Sequence, residues 1–320
     1  MRVANVYDID NKTYLIRLGK TDVKVMLLVE SGNRINTTEF EWPKNMMPSG
    51  FSMKCRKHIR SRRLVNISQL GIDRIVDLQF GSDEAAYHLI VELYDRGNIF
   101  LTDYEYTILS LLRTRTDADD VKFAVREKYP VNSARQREPL MNQERVCEIL
   151  SESKDGVEVK KVLNPHFVYG AALIEHCLME VGFPENVKIG KGFNVAEDLP
   201  EVMEALKKAE SFLEMTLTEK CNGVIVQKKE QKPLNNKSNG TDQDELLTYQ
   251  EFYPFLLNQH KKSPYLEFPS FDKAVDEFFS KIESQKIDMK ALSQEKTALK
   301  KLENIRIDHQ RRIDSLQKSQ

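Results

Sequence analysis

Charge of one sign is what this chain lacks in bulk. Its 320 residues carry 48 Lys and Arg against 49 Asp and Glu, a formal net charge of -1. No global field therefore gathers a polyanion, and any nucleic-acid surface has to be a local patch. Cysteine is scarce too. Cys55, Cys147, Cys177 and Cys221 are scattered with no CxxC or Cys/His spacing, which argues against a disulfide framework or a zinc module and for reduced thiols in the cytosol or nucleus. No apolar run approaches the roughly 18 to 20 residues of a membrane span. The opening MRVANVYDID has neither a signal-peptide core nor an amphipathic transit pattern. A Walker loop, a GxSxG elbow, an HExxH helix and a GxGxxG turn are all missing, so no self-sufficient active site and no cofactor are expected. His166 and His176 lie ten apart without an acid or Cys at ligand spacing, so no metal is expected either.

What is present sorts into two halves, as a length of 320 residues suits about two domains. RVANVYDI, TYLIRL, VKVMLLVE and RINTTEF are β-branched and aromatic runs parted by DNK, GKTD and SGN turns. After Pro43 and Pro48, Ser49 can cap a helix that places Phe51, Cys55 and Ile59 at i, i+4 and i+8. RIVDLQFG, AYHLIVELY, NIFLTD and TILSLLRT then give four more strands, with DRGN (95–98) as a strong turn signal. From about 130, LMNQERVCEILSES, HFVYGAALIEHCLMEVG and LPEVMEALKKAESFLEMTL carry helical apolar spacing. NGVIVQKKE reads as a short strand, and the polar tract that follows reads as a flexible linker. Residues 271–320 form a charged helical pattern without Gly or Pro. In it Leu292, Leu299, Leu302, Ile313 and Leu316 fit an imperfect heptad seam. The expected class is α+β: a β-rich sandwich over 1–130, a helical region over 131–226, a linker over 227–245, a short ordered segment over 246–270 and a coiled-coil arm over 271–320 that stops with no cap, as a fragment would.

Two constellations point to chemistry. In KCRKHIRSRRL, Lys54, Arg56, Lys57, Arg60, Arg62 and Arg63 fall within ten residues with no acid among them. Such a cluster suits a phosphate backbone, whose counterions it displaces. A merely solvated face with snorkelling side chains is the blander account. No base-reading motif accompanies it, so RNA shape and backbone are the expected target. Asp73 and Arg74 stand at the mouth of a strand after Gly71 and could orient a phosphate, a ribose hydroxyl or an amine. On the residues alone, a local salt bridge or turn cap is the simpler reading of that pair. Gly170, entering a helix, could present backbone N–H groups to phosphate as helix-hairpin-helix modules do.

The stretches YDIDNKTYLIRL, TTEFEWPKNMMPSGFSMKCRKHIRSRRL, DRIVDLQFGSDEAAYHLIVELYDRGNIFLTDYEYTIL and DDVKFAVREKYP closely resemble the NFACT family. That family includes ribosome quality control factors and bacterial fibronectin-binding-like proteins. The resemblance is nearly continuous over 1–130 and persists into the last helix. It implies a first domain like the N-terminal domain of formamidopyrimidine-type DNA glycosylases, then helix-hairpin-helix segments and a long antiparallel coiled coil. It also implies a factor that binds a large ribosomal subunit obstructed by peptidyl-tRNA, blocks subunit rejoining and helps recruit the Listerin ubiquitin ligase. Such a factor directs template-free C-terminal tailing from aminoacyl-tRNA, chiefly with alanine, while the ribosome makes the peptide bonds. The family's Asp-Arg pair for tailing falls on Asp73 and Arg74, which reverses the simpler reading of them. The family's first helix and one further aspartate are expected to precede residue 1, and a second RNA-contacting domain and a C-terminal domain to follow residue 320. Location is expected in the cytosol, with the nucleus as a second compartment and no membrane. The rival readings are a glycosylase- or lyase-like enzyme and a structural coiled-coil adaptor.

Overall fold

In the computed structural model, residues 1–231 and 245–318 are described. Two antiparallel meanders build the first half. β1 (Arg2–Asp8), β2 (Thr13–Lys20), β3 (Val23–Glu30) and β4 (Arg34–Thr38) pair in chain order. After α1 (Gly50–Ile59), the strands β5 (Leu64–Gln69), β6 (Ile75–Phe80), β7 (Tyr87–Glu92), β8 (Asn98–Thr102) and β9 (Ile108–Leu111) do the same. Alternate side chains of a strand share a face. Val6, Ile16 and Val29 of the first sheet thereby meet Leu78, Val91 and Leu101 of the second in one core, into which α1 inserts Phe51, Cys55 and Ile59. Burial pushes the Cys55 thiol well above its ordinary range, so it packs as a small hydrophobe.

The sheets are pinned where two turns cross. Gly32 N donates to Glu92 O at 2.9 Å and Ser31 Oγ to Arg96 O at 3.1 Å. A Cβ on Gly97 would lie 2.0 Å from Gly32 N, and its φ of +62° is a conformation that glycine adopts without strain. The outer face of the second sheet is covered by Phe123 and Tyr129 over Ile75, Ile90, Phe100 and Ile108. Phe123 closes a small ribbon of β10 (Arg115–Thr116) and β11 (Lys122–Phe123). Beneath it the fully buried Glu92 accepts two hydrogen bonds from Arg115, at 2.5 and 3.0 Å, and one from the Tyr129 hydroxyl at 3.0 Å.

α2 (Gln143–Ser151), α3 (Val159–Leu163), α4 (Ala171–Glu180) and α5 (Val195–Thr218) pack around a second core that includes Val146, Leu163, Ile174 and Leu206. A third sheet follows, begun by the strand expected from NGVIVQKKE and completed within the segment expected to be ordered. β12 (Gly223–Gln231) is central, with β13 (Glu245–Tyr253) on one side and β14 (Tyr265–Phe268) on the other. The linker expected over 227–245 therefore starts too early and ends one residue late. Residues 227–231 pair with 245–249 in an antiparallel ladder, because backbone pairing with apolar β13 holds a polar strand that its own composition would not. The remainder, 232–244, lies outside the described residues. The loop after β13 docks on α4: Asn258 N donates to His176 Nδ1 at 3.0 Å and Gln259 Nε2 to Ala172 O at 2.9 Å. Burial lowers the His176 pKa, with Lys261 and Lys208 adding to the effect and Glu180 opposing it.

The chain continues as α6 (Phe271–Lys318), 48 residues without a break. Its first turns are held on two sides. Phe271, Phe278 and Phe279 surround Phe252 of β13, and a Cβ on Gly223 would overlap Ala274 at 2.3 Å. On the first sheet, Asp272 and Asp276 accept from the backbone N–H groups of Thr37 (2.8 Å) and Glu39 (3.0 Å), and the buried Arg34 guanidinium lies 4.1 Å from the Phe279 ring. Farther out, Leu299 and Leu302 are 58% and 62% exposed, and Ile313 is exposed as well. The side chain of Leu292 lies outside the described residues. Within the described residues no helix is long and apolar enough to cross a membrane, and no group of three or more His, Cys, Asp or Glu could hold a metal ion.

Candidate nucleic-acid interface

The N-terminus of α1 is set by β1. Ser49 Oγ caps the helix by accepting from Ser52 N at 3.1 Å, while Ser49 N donates to the buried Asp8 carboxylate at 3.0 Å. The opposite end carries Arg56, Lys57 and His58, where cations complement the helix dipole. The helix stops at Ile59, and Ser61 turns with φ +66°. Arg60, Arg62 and Arg63 thus sit beyond α1, on the segment that leads into β5.

The six cations are not equivalent. Arg56 Nε donates to Val6 O at 2.8 Å and its guanidinium lies 5.8 Å from the Tyr7 ring. Arg62 Nε donates to His58 O at 2.7 Å, its Nη1 reaches Ala85 O at 2.8 Å, and it covers Tyr87 at 4.7 Å. Both are spent partly on the fold. Lys54, Lys57, Arg60 and Arg63 are exposed. No ion pair involves any of the six among the described residues. Their field is felt locally: burial lowers the His58 pKa, and Lys57, Lys54 and Arg62 lower it further.

Folding gathers more cations than the sequence reading found. A concavity of about 590 Å³ is lined by Lys57, Arg60, Arg62, Arg63 and Arg2. A second, of about 600 Å³, is lined by Arg2, Arg63, Arg17, Lys20 and Lys24. Arg2 and Arg63 belong to both, so eight cations form one strip around the end of the first sheet. Arg2 Nη1 donates to Ser61 O at 2.9 Å, which ties β1 to the turn after α1. Asp83 and Glu84 border the strip on an adjacent turn without pairing to its cations. The signal that could have found the added four is the GKTD turn, which returns Lys24 opposite Gly19 while β1 brings Arg2 opposite the same residue.

Asp73 and Arg74 lie elsewhere, in the turn between β5 and β6. Asp73 Oδ2 accepts from Arg135 N at 2.9 Å, and Ile72 N donates to Arg135 O at 2.8 Å. The carboxylate thus caps a distant loop and does not pair with its neighbour. Arg74 is exposed. The structure does not bring this pair into the basic concavities, and Gly170 lies apart from both sites at the start of α4, with φ +81°.

Paired β sheets bearing a cationic strip are followed by a helical region, a third sheet and a long terminal helix. The chain belongs to the NFACT family, matching its N-terminal and middle domains over residues 1–320. It is 62% identical over 321 residues to the ribosome quality control complex subunit NEMF of Homo sapiens and 44% identical over 352 residues to the NEMF homolog of Drosophila melanogaster. It is 32% identical over 371 residues to ribosome quality control complex subunit 2 of Schizosaccharomyces pombe. All of this chain is covered in each case, against 30%, 35% and 36% of those proteins, so it spans about a third of their length. Among solved structures, the fibrinogen binding protein of Staphylococcus aureus matches 87% of this chain and 91% of its own with a TM-score of 0.54. The N-terminal part of the fibronectin/fibrinogen-binding protein of Streptococcus suis matches 88% and 92% with a TM-score of 0.51. At 17% identity each, these share the mixed α/β fold.

Proposed function

We propose that this chain is the RNA-gripping portion of a ribosome quality control factor. In this reading it binds a large ribosomal subunit still carrying obstructed peptidyl-tRNA and keeps the small subunit from rejoining. The observation that carries it is the eight-cation strip with no ion-paired carboxylate among the described residues. Such a strip repels itself unless a polyanion occupies it, and the names of the relatives supply the ribosomal context. The role is one of positioning: the strip holds RNA phosphates, and α6 reaches away from the body toward a helical partner that completes a coiled coil. Listerin recruitment, alanine tailing with aminoacyl-tRNA, and a cytosolic site of action with a nuclear pool belong to the same proposal.

Co-sedimentation with purified large subunits, with and without trapped peptidyl-tRNA and across a salt series, tests it. Preference for the obstructed subunit, lost steeply with salt, is the expected result; indifference to the tRNA would refute it. Asp73 and Arg74 are proposed to serve tailing. Asp73→Ala in a full-length relative-sized protein should leave subunit binding intact and abolish tailing, and normal tailing would end that assignment.

A further inference from the structure

Two serines, Ser61 and Ser82, line the first basic concavity among its five cations. They are held in opposite ways. Ser61 N donates to Val3 O at 2.8 Å, Ser61 O accepts from Arg2 Nη1 at 2.9 Å, and the residue turns at φ +66°. Both sides of its peptide are committed to the fold. Ser82 instead opens the turn 82–85 between β6 and β7, and all four residues of that turn are exposed. Its hydroxyl caps nothing and makes no hydrogen bond among the described residues.

The backbone that carries this hydroxyl is nonetheless fixed against the cations. Gly81 N donates to Arg63 O at 2.8 Å, Gln79 Nε2 to Gly81 O at 3.0 Å and Ala85 N to Ser82 O at 3.2 Å. Gly81 turns at φ +81°, and a Cβ on it would lie 2.9 Å from Ala85 O and 3.5 Å from Arg62 Nη1. The Arg62 guanidinium therefore lies across this turn. Two of the five N–H donors of an arginine are used there, toward His58 O and Ala85 O, and the rest of the fork is left for an anion.

A phosphoryl group on Ser82 has the chemistry that this surface lacks. It carries nearly two negative charges and three strong acceptor oxygens, and its bonds to an arginine fork are of the strong, charge-assisted kind. The strip around it has eight cations and no ion pair among the described residues. Asp83 and Glu84 follow Ser82 directly, exposed and unpaired with the strip. The turn thus presents a free serine followed by two acids, a charge pattern that complements a kinase with a basic substrate cleft.

Resting on the RNA-binding reading, we propose that Ser82 is a phosphorylation site whose phosphoryl group occupies the basic concavity and competes there with RNA phosphates. The Ser82 Oγ attacks the γ-phosphorus of a nucleoside triphosphate, and the bond from that phosphorus to its bridging oxygen breaks. The nucleoside diphosphate leaves, and the hydroxyl proton passes to the base of the kinase. The strip then holds its own counter-ion, and the chain releases RNA while staying folded.

The test installs phosphoserine during translation at position 82 of the 320-residue chain, and in a second chain at Ser293 on the exposed part of α6 as a control of equal charge. Binding of a labelled RNA hairpin is followed across a salt series. If two cations are neutralised, the slope of log affinity against log salt should become shallower by about 1.4 to 1.8. Affinity at about 0.1 M salt should fall at least about tenfold, and the Ser293 control should match the unmodified chain. Phosphorus NMR reads the seating without RNA. The second ionisation of the phosphate at position 82 should drop below its ordinary value of about 6, while that at Ser293 stays there. Treated with labelled ATP and a casein-kinase-type enzyme, the unaltered chain should take up phosphate and Ser82→Ala should not. Equal RNA binding with and without phosphate at position 82, or an unmoved second ionisation there, overturns the proposal while the strip stands. An equal loss of affinity in the Ser293 control, no label on the unaltered chain, or label that persists in Ser82→Ala overturns it as well. Failure of the unmodified chain to bind RNA removes the strip, and the competition with it.

Discussion

Replacing Arg60 and Arg63 together with alanine probes the strip where it is least entangled with the fold. Both side chains are exposed and make no hydrogen bond or ion pair among the described residues, so the change in stability should stay within about 0.5 kcal/mol. Their contribution to RNA binding is of another kind. Each phosphate neutralised releases condensed counterions and adds about 0.7 to 0.9 to the slope of log affinity against log salt. If six of the eight cations engage phosphates, the intact strip gives a slope of about -4 to -5. Removing two should make it shallower by about 1.4 to 1.8. Anisotropy of a labelled RNA hairpin, measured between about 50 and 200 mM salt, reads this directly. The control is Lys300→Ala with Lys301→Ala, the same loss of charge on the exposed outer part of α6, which should leave the slope alone. An unchanged slope for the Arg60 and Arg63 variant refutes the strip as the seat of binding. Equal shifts in both variants mean that net charge, and not this surface, governs association.

Three further outcomes follow from the same geometry. His58 is lowered by burial and then by Lys57, Lys54 and Arg62; bound RNA screens those cations, so its pKa should rise on binding and affinity should strengthen as pH falls. An imidazole titration by NMR with and without RNA checks this, and identical curves would count against RNA on the strip. His176, lowered chiefly by burial, accepts from Asn258 N as the neutral imidazole. Its contribution is complete above the ordinary value of about 6.5 and is lost as pH falls through the lowered folded value. The thermal midpoint should therefore drop between about pH 7 and 5 more in the unaltered chain than in His176→Asn, and parallel curves would refute it. Arg115→Ala strands the fully buried Glu92 with Tyr129 alone and should cost about 3 to 5 kcal/mol in denaturant unfolding; a loss below about 1 kcal/mol would show that water reaches the carboxylate.

Legibility in the sequence tracks how local each determinant is. The α1 cap and its Phe51, Cys55, Ile59 stripe depend on neighbours within ten residues, and the structure places them as the spacing predicts. Eight of the nine strands of the two sheets are legible for the same reason, as β-branched or aromatic runs parted by turn residues, whereas β5, which follows directly on the basic cluster, is not. β12 is legible only in its first half, from NGVIVQKKE, because Lys228 and Lys229 also read as solvent-loving chain, and what holds them straight is a ladder to Thr248 and Leu247 across a gap in sequence. The basic cluster is half legible. Six cations in ten residues announce themselves, but Arg2, Arg17, Lys20 and Lys24 are diluted along three strands and meet only through the pairing of β1 with β2 and β2 with β3. Nor could a string of letters show that Asp73 reaches Arg135, 62 positions later.

The root of α6 has one more consequence. At 1.5 Å per residue its 48 residues extend about 72 Å, and the side chains that fix its heading all lie in the first nine, from Phe271 to Phe279. A lever clamped at one end magnifies whatever happens at the clamp: a tilt of about 5° there sweeps the tip through about 6 Å. Because the clamp bears at once on the first sheet through Arg34 and on the third through Phe252, any slippage of one sheet against the other becomes a change of aim at the far end. The helix is in that sense a pointer, and where its tip rests reports how the body beneath it is seated.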